Sequence, residues 1–160
     1  MILLGIESSS RKLSVGLMKD KIFSELSSEK INDTANSLPI LSKQIINNAL
    51  LSFEDLDAIC ISTGPGSFTG LRVGMSYAKG IALALNIPIV PISTFDSLAH
   101  DNNVKKLSAL IYSHGNTFYI CEYNLDNGKL LKSTEPKVIL KENILELYHN
   151  IVFNGPRNIF

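Results

Sequence analysis

Residues 56–92, LDAICISTGPGSFTGLRVGMSYAKGIALALNIPIVPI, decide how the rest of the chain is read. Ala58, Ile59, Cys60 and Ile61 make a buried strand. A glycine loop follows (Gly64 to Gly70), then a helix from about Leu71 to Leu85 and a second apolar strand from Ile87 to Ile92. Strand, short loop, helix and strand in that order form a βαβ unit on a parallel sheet, with the two strands as neighbours. The helix has few polar breaks, namely Arg72, Ser76, Tyr77 and Lys79, so both of its sides need cover. Gly70, Gly74, Ala78 and Ala82 fall four residues apart, a line of small side chains that lets another backbone come close, while Val73, Ile81 and Leu85 can pack on the sheet. Two readings stand. Either the small-residue line is an interface with a second helix, or this is the central helix of a layer covered by its own chain.

Around this unit, Ile2 to Ile6, Leu13 to Leu17 and Ile22 to Leu26 read as three antiparallel strands. Leu38, Leu41, Ile45, Ile46, Ala49 and Leu50 then recur at helical spacing from Asp33 or Thr34 onward, with Pro39 expected in the first turn. Ser93 or Thr94 starts a short helix that ends at the Asp101, Asn102, Asn103 loop, where a lobe boundary is expected: residues 1–103 and 104–160. Beyond it, Leu107 to Tyr112, Phe118 to Tyr123, Leu130 to Leu131 and Val138 to Leu140 repeat the triple-strand opening. A helix over about Lys141 to His149 and a strand over Ile151 to Phe153 follow. The long helix and further strand of the first lobe have no counterpart, so the second lobe reads as truncated.

With 160 residues and 45% hydrophobic content the chain can bury a real core. Its formal net charge of zero is unlike an autonomous nucleic-acid binder, so if RNA is involved another subunit is expected to supply most of the phosphate contacts. Cys60 and Cys121 lie in apolar strand-like runs and read as small hydrophobes rather than a disulfide. The start, MILLGIESSS, has no positive region and too short an apolar run for a signal peptide or membrane span; a soluble, cytoplasmic protein without a membrane partner is expected.

Catalytic motifs are sparse. The glycine loop lacks the lysine of G-x-x-x-x-G-K-[ST], with Leu71 and Arg72 after Gly70, and its G-x-G-x-x-x-G spacing differs from a dinucleotide fingerprint. A tight turn in which the glycines accept positive φ and Ser67 or Thr69 caps the helix explains the loop better than a phosphate does. Glu7 ends the first strand where an actin-like ATPase keeps a carboxylate, but the corresponding Tyr112, Ser113, His114 turn offers none. His100, His114 and His149 stand singly, so neither a metal nor another cofactor is expected.

The run Gly64 to Gly74, GPGSFTGLRVG, preceded by LLGIESSS and followed by Pro91-Ile-Ser-Thr94, resembles the TsaB (YeaZ) family, with order and spacing agreeing from residue 2 to about residue 100. The resemblance implies an α/β, actin-like (ASKHA, RNase H-like) two-lobe fold with a mixed sheet and a β-β-β-α-β-α-β first lobe. It also implies a non-catalytic role: dimerisation with TsaD, the subunit that installs threonylcarbamoyl on the adenosine beside the anticodon of ANN-decoding tRNAs, in a complex with the ATPase TsaE. The TsaD family itself is a poorer match, since it carries a histidine pair where this chain has Ser93 to His100 with one histidine. The partner surface implied is Leu38, Leu41 and Ile45 on the first helix with Gly70, Gly74, Ala78 and Ala82 on the second, and the same surface could make a homodimer when the chain is alone. The alternative is a degenerate nucleotide-binding protein holding ATP or ADP at Glu7, Gly64, Gly66 and Ser67. An old glycoprotease label for the superfamily finds no nucleophile or metal pair here. Departures from the family pattern are Tyr112, His114 and Asn116, where an aspartate, arginine and glycine turn is usual, and Asn32, Asp33 and Thr34 ahead of the first helix.

Overall fold

A computed structural model describes residues 1–28, 30–100, 104–127, 129–144 and 150–155. The chain divides into two compact units, Met1–Ile92 and Ser93–Phe160. In the first, β1 (Ile2–Glu7), β2 (Ser14–Lys19) and β3 (Ile22–Ser27) form the antiparallel opening. They are followed by α1 (Thr34–Asn48), β4 (Ala58–Ser62), α2 (Phe68–Leu85) and β5 (Ile89–Ile92). The sheet order is β3-β2-β1-β4-β5, with β4 parallel to both β1 and β5, so the βαβ reading holds.

Alternation along the strands decides which face is covered. Leu4 and Ile6 on β1, Val15 and Leu17 on β2, and Ile59 and Ile61 on β4 all lie within 3% of full burial, in one core with Leu38, Ile45 and Ile46 from α1 and Ala78 and Ala82 from α2. Both helices therefore lie on the same side of the sheet. Pro39 sits at the sixth residue of α1, one turn deeper than the sequence suggested. That position is tolerated because Pro39 and Ala35, whose carbonyl loses its intrahelical partner, are both exposed to water.

The small-residue line on α2 faces inward, which selects the second of the two readings. Gly70, Gly74, Ala78 and Ala82 are the buried positions of the helix, and they lie on β1 and β4. A Cβ on Gly70 would run into the Ser8 carbonyl oxygen. One on Gly74 would collide with the Ser8 hydroxyl and stand 3.1 Å from Ser8 Cβ and 3.2 Å from Ile61 Cδ1. The helix has small residues there because the chain's own strand and turn pass directly beneath it.

The second unit begins earlier than residue 104. α3 (Thr94–Ala99) belongs to it, because Phe95 and Ala99 are buried with Leu107, Ala109, Ile111, Cys121 and Tyr123. The Tyr123 hydroxyl donates to Asp96 Oδ1 at 2.6 Å and ties the helix to the sheet; burial, and then that carboxylate, push the phenol's pKa upward. The strands are β6 (Lys106–His114), β7 (Thr117–Asp126), β8 (Lys129–Lys132), β9 (Lys137–Leu140) and β10 (Ile151–Asn154). β6 pairs antiparallel with β7 and parallel with β10, as β1 does with β2 and β4. The third strand of the repeat is split, since β8 pairs with Tyr123 to Asp126 and β9 with Thr117 to Ile120 of the same β7 strand. The expected Asp101 to Asn103 boundary loop and most of the expected 141–149 helix lie outside the described residues; Lys141–Asn143 form a 3-10 turn.

Two glycines of α2 should respond oppositely to alanine. Gly80 has no heavy atom near where its Cβ would stand, so Gly80→Ala should stabilise the chain by about 0.5–1 kcal/mol. Gly74→Ala should destabilise it by about 1–3 kcal/mol through overpacking against Ser8 and Ile61. Urea unfolding of the two variants beside the parent checks both signs. In the second unit, Tyr123→Phe should cost about 1 kcal/mol in the same measurement, the worth of one hydrogen bond to a carboxylate that water can rehydrate.

Candidate functional site

The first candidate is the glycine loop with Glu7. Ser67 caps α2, its hydroxyl accepting from the Gly70 N–H at 3.2 Å, and Asn86 closes the helix in the left-handed region with φ 54°. Gly64 bends the loop at φ 100°, and a Cβ at Gly66 would overlap the Ser9 carbonyl. The Ser67 N–H donates to the Ser9 carbonyl at 2.6 Å, and the Ser8 N–H donates to Ser62 Oγ at 3.2 Å. The β1–β2 turn thus fills the concave side of the loop with the chain's own carbonyls. A phosphate needs the reverse, free N–H donors converging on an anion.

Glu7 is committed to the same turn. Its Oε1 accepts from the Ser9 N–H at 2.6 Å and from the Ser9 hydroxyl. The four residues of the alternative nucleotide reading, Glu7, Gly64, Gly66 and Ser67, do come together around one turn, but they come together to close it. Ser8 and Ser9, both buried, are what the glycines close on, and sequence reasoning assigned them no part. The signal was available, since glycines recurring at the spacing of one helix face mark a close approach, and the serine turn ends the strand that is parallel to β4. Among the described residues no group of three or more His, Cys, Asp and Glu side chains is placed to hold a metal.

The second candidate is the helical layer, and here the expected residues need correction. Gly70, Gly74, Ala78 and Ala82 are covered by the chain's own sheet, and Leu38 and Ile45 are 0% and 2% exposed in the core. Leu41 is half-buried against that core. None of the small-residue line is open to a partner, because a helix needs glycine where it meets β1 most closely. What α2 turns away from the sheet is a different stripe: Phe68, Arg72, Lys79 and Leu83, with Phe68 69% and Leu83 85% exposed. The Arg72 guanidinium lies 4.4 Å from the centroid of the Phe68 ring, which holds an apolar side chain and a cation together at the surface. On α1 the exposed face includes one large apolar side chain, Ile40, 65% exposed. Next to the stripe, Phe53, Tyr77, Ile81, Ala84 and Leu85 line an apolar depression of about 260 Å³. A helix pair that keeps its core residues inside and still shows large apolar side chains outside can bind another apolar surface.

A family model described as TsaD: tRNA N6-adenosine threonylcarbamoyltransferase matches residues 27–157. The tRNA threonylcarbamoyladenosine biosynthesis protein TsaB of Buchnera aphidicola subsp. Schizaphis graminum is 33% identical over 150 residues, covering 91% of this chain and 71% of that protein. The protein of the same name from Escherichia coli strain K12 is 29% identical over 152 residues, and this chain spans 64% of its length. Among solved structures, YeaZ from Pseudomonas aeruginosa aligns with a TM-score of 0.80 at 24% identity, covering 87% of this chain and 67% of that one. The mixed β3-β2-β1-β4-β5 sheet with its paired helices is therefore the α/β, actin-like arrangement of the YeaZ fold. The TsaD model covers a domain that the two kinds of protein share, whereas identity of 33% to a TsaB protein over 91% of this chain and 71% of that one means that the chain belongs to the TsaB (YeaZ) family.

Proposed function

We propose that the chain is a non-catalytic subunit in the synthesis of threonylcarbamoyladenosine on tRNA, binding TsaD through the outward face of α1 and α2 and holding it in an active arrangement. The observation that carries this reading is the pairing of a closed glycine loop with an open apolar helix face on the same unit. The loop's concave side is occupied by the Ser8 and Ser9 carbonyls, whereas Phe68, Leu83 and Ile40 are exposed well beyond what a solvated helix needs. A formal charge of zero agrees with a partner supplying most contacts to tRNA phosphates. The name shared by the relatives, a biosynthesis protein of threonylcarbamoyladenosine, supports the pathway; TsaE would join the same assembly.

Leu83→Arg should abolish capture of TsaD in a pull-down. Because Leu83 is 85% exposed, the substitution should shift the chain's own stability by less than about 0.5 kcal/mol. Capture that survives this change and Phe68→Ala together means that the helix face is not the docking surface. With both proteins present, threonylcarbamoyl-tRNA should form, and TsaD without this chain should form much less. Equal formation in the two reactions would remove the subunit role. Calorimetry of the isolated chain with ATP and Mg²⁺ should show no binding heat, and a saturable isotherm would favour the nucleotide-holding alternative.

A further inference from the structure

A net charge of zero conceals a segregation of charge along the strands of the first sheet. At the end where β1 and β4 begin lie Asp20, Asp57 and, in the 3-10 turn Phe53–Asp55, Glu54 and Asp55, all exposed, with Lys19 and Lys21 beside them. Asp57 Oδ2 accepts from the Ile2 N–H at 2.6 Å, and Asp20 Oδ1 lies 2.9 Å from the Met1 ammonium. At the other end β1 turns into β2 and β3 runs out. On the two loops there, residues 8–13 and 28–33, the exposed charges among the described residues are Arg11, Lys12 and Lys30. The loops are stapled together. The Ser28 N–H donates to the Leu13 carbonyl at 2.9 Å and the Asn32 N–H to the Arg11 carbonyl at 3.0 Å, while the Ser28 and Ser10 hydroxyls donate to the carbonyls of Lys30 and Lys12 at 3.0 and 2.8 Å. Each cation is thus anchored by its carbonyl with its side chain left in water, and among the described residues none has a carboxylate in ion-pair range. The described acids nearest by, Glu7 and Asp33, accept from Ser9 and from Asn36 and Ser37.

We propose that Arg11, Lys12 and Lys30 form a contact surface for the phosphodiester backbone of tRNA, so that this chain supplies the smaller share of the phosphate contacts and its partner the rest. The choice of RNA rests on the tRNA role proposed above and on the chemistry of the loops. Three cations without partners on a fixed backbone suit a polyanion, because each contact releases a condensed counterion and little loop entropy is lost in making it. Asn32, exposed and held at φ 59°, adds a side-chain amide that can donate to a phosphate or ribose oxygen. Such contacts position a nucleic acid without reading its bases. The acidic end of the sheet repels the same backbone and steers it to the basic end. The surface shares no residue with the Phe68 to Leu83 stripe of α2, so separate substitutions test RNA contact and docking.

Fluorescence anisotropy of labelled tRNA titrated with the full chain between about 20 and 200 mM salt should show weak binding, with log Kd rising against log salt at a slope of about 2–3 for three contacts. Arg11→Gln, Lys12→Gln and Lys30→Gln together should remove that slope and weaken binding about tenfold or more at the lowest salt. Lys19→Gln with Lys21→Gln, which takes two cations from the other end, should change the affinity less than about twofold. The triple variant should still capture TsaD in a pull-down, and the salt slope of the captured complex should fall by about 2. No binding by the parent at low salt, an equal loss from the Lys19 and Lys21 pair, or competition by polyglutamate that matches unlabelled tRNA would each overturn the proposal; the last would place an acidic protein on the surface. If TsaD is not captured even by the parent, the subunit role fails, whereas the titration of the chain alone still decides the RNA surface.

Discussion

The contact between the Glu7 to Ser9 turn and the glycine side of α2 organises the first unit. A helix cannot approach a strand closely enough to sit on the turn's backbone if it carries side chains there, so Gly70 and Gly74 are obligatory where Ser8 passes. Once that approach is made, the N-terminus of α2 is capped from within by Ser67, and the preceding loop is fixed by the Ser67 N–H to Ser9 carbonyl bond. The depth of α2 on the sheet then decides which of its residues remain outside. The apolar outward stripe and the closed loop are two results of one packing decision.

The second unit repeats the plan with different means. Its central strand β6 has an antiparallel and a parallel neighbour like β1, but the third strand is delivered as two short pieces on one edge of β7. α3 follows the last strand of the first sheet in sequence and yet packs in the second core, held by Phe95, Ala99 and the Tyr123–Asp96 bond. Chain order and core membership part company at Ile92.

Most of the fold was legible because it rests on periodicity, which a sequence displays directly. Alternation in Leu13, Val15 and Leu17 and the four-residue recurrence in α1 and α2 each report one buried face, and the structure places those faces in one core. The site was not legible in the same way. A line of Gly70, Gly74, Ala78 and Ala82 says that something comes close, but not whether the visitor is the chain's own turn or another molecule, because the spacing is identical in both cases. Only the position of Ser8 separates them, and that depends on a contact between residues about sixty apart in sequence. The lobe boundary was misplaced for a related reason: Asp101 to Asn103 is a polar break, whereas the switch between cores at Ile92 and Ser93 has no compositional mark.

Glycine at three places makes α2 a poor helix on its own, since each one costs about 1 kcal/mol relative to alanine in a helix interior. Two of the three are useful only after the serine turn is in position. The β1–β2 pairing that carries that turn joins residues close in sequence, whereas the approach of α2 to the turn joins residues about sixty apart. The helix and the β1–β2 ribbon are therefore coupled: what the glycines cost α2 in isolation is offset only where the ribbon lies beneath it.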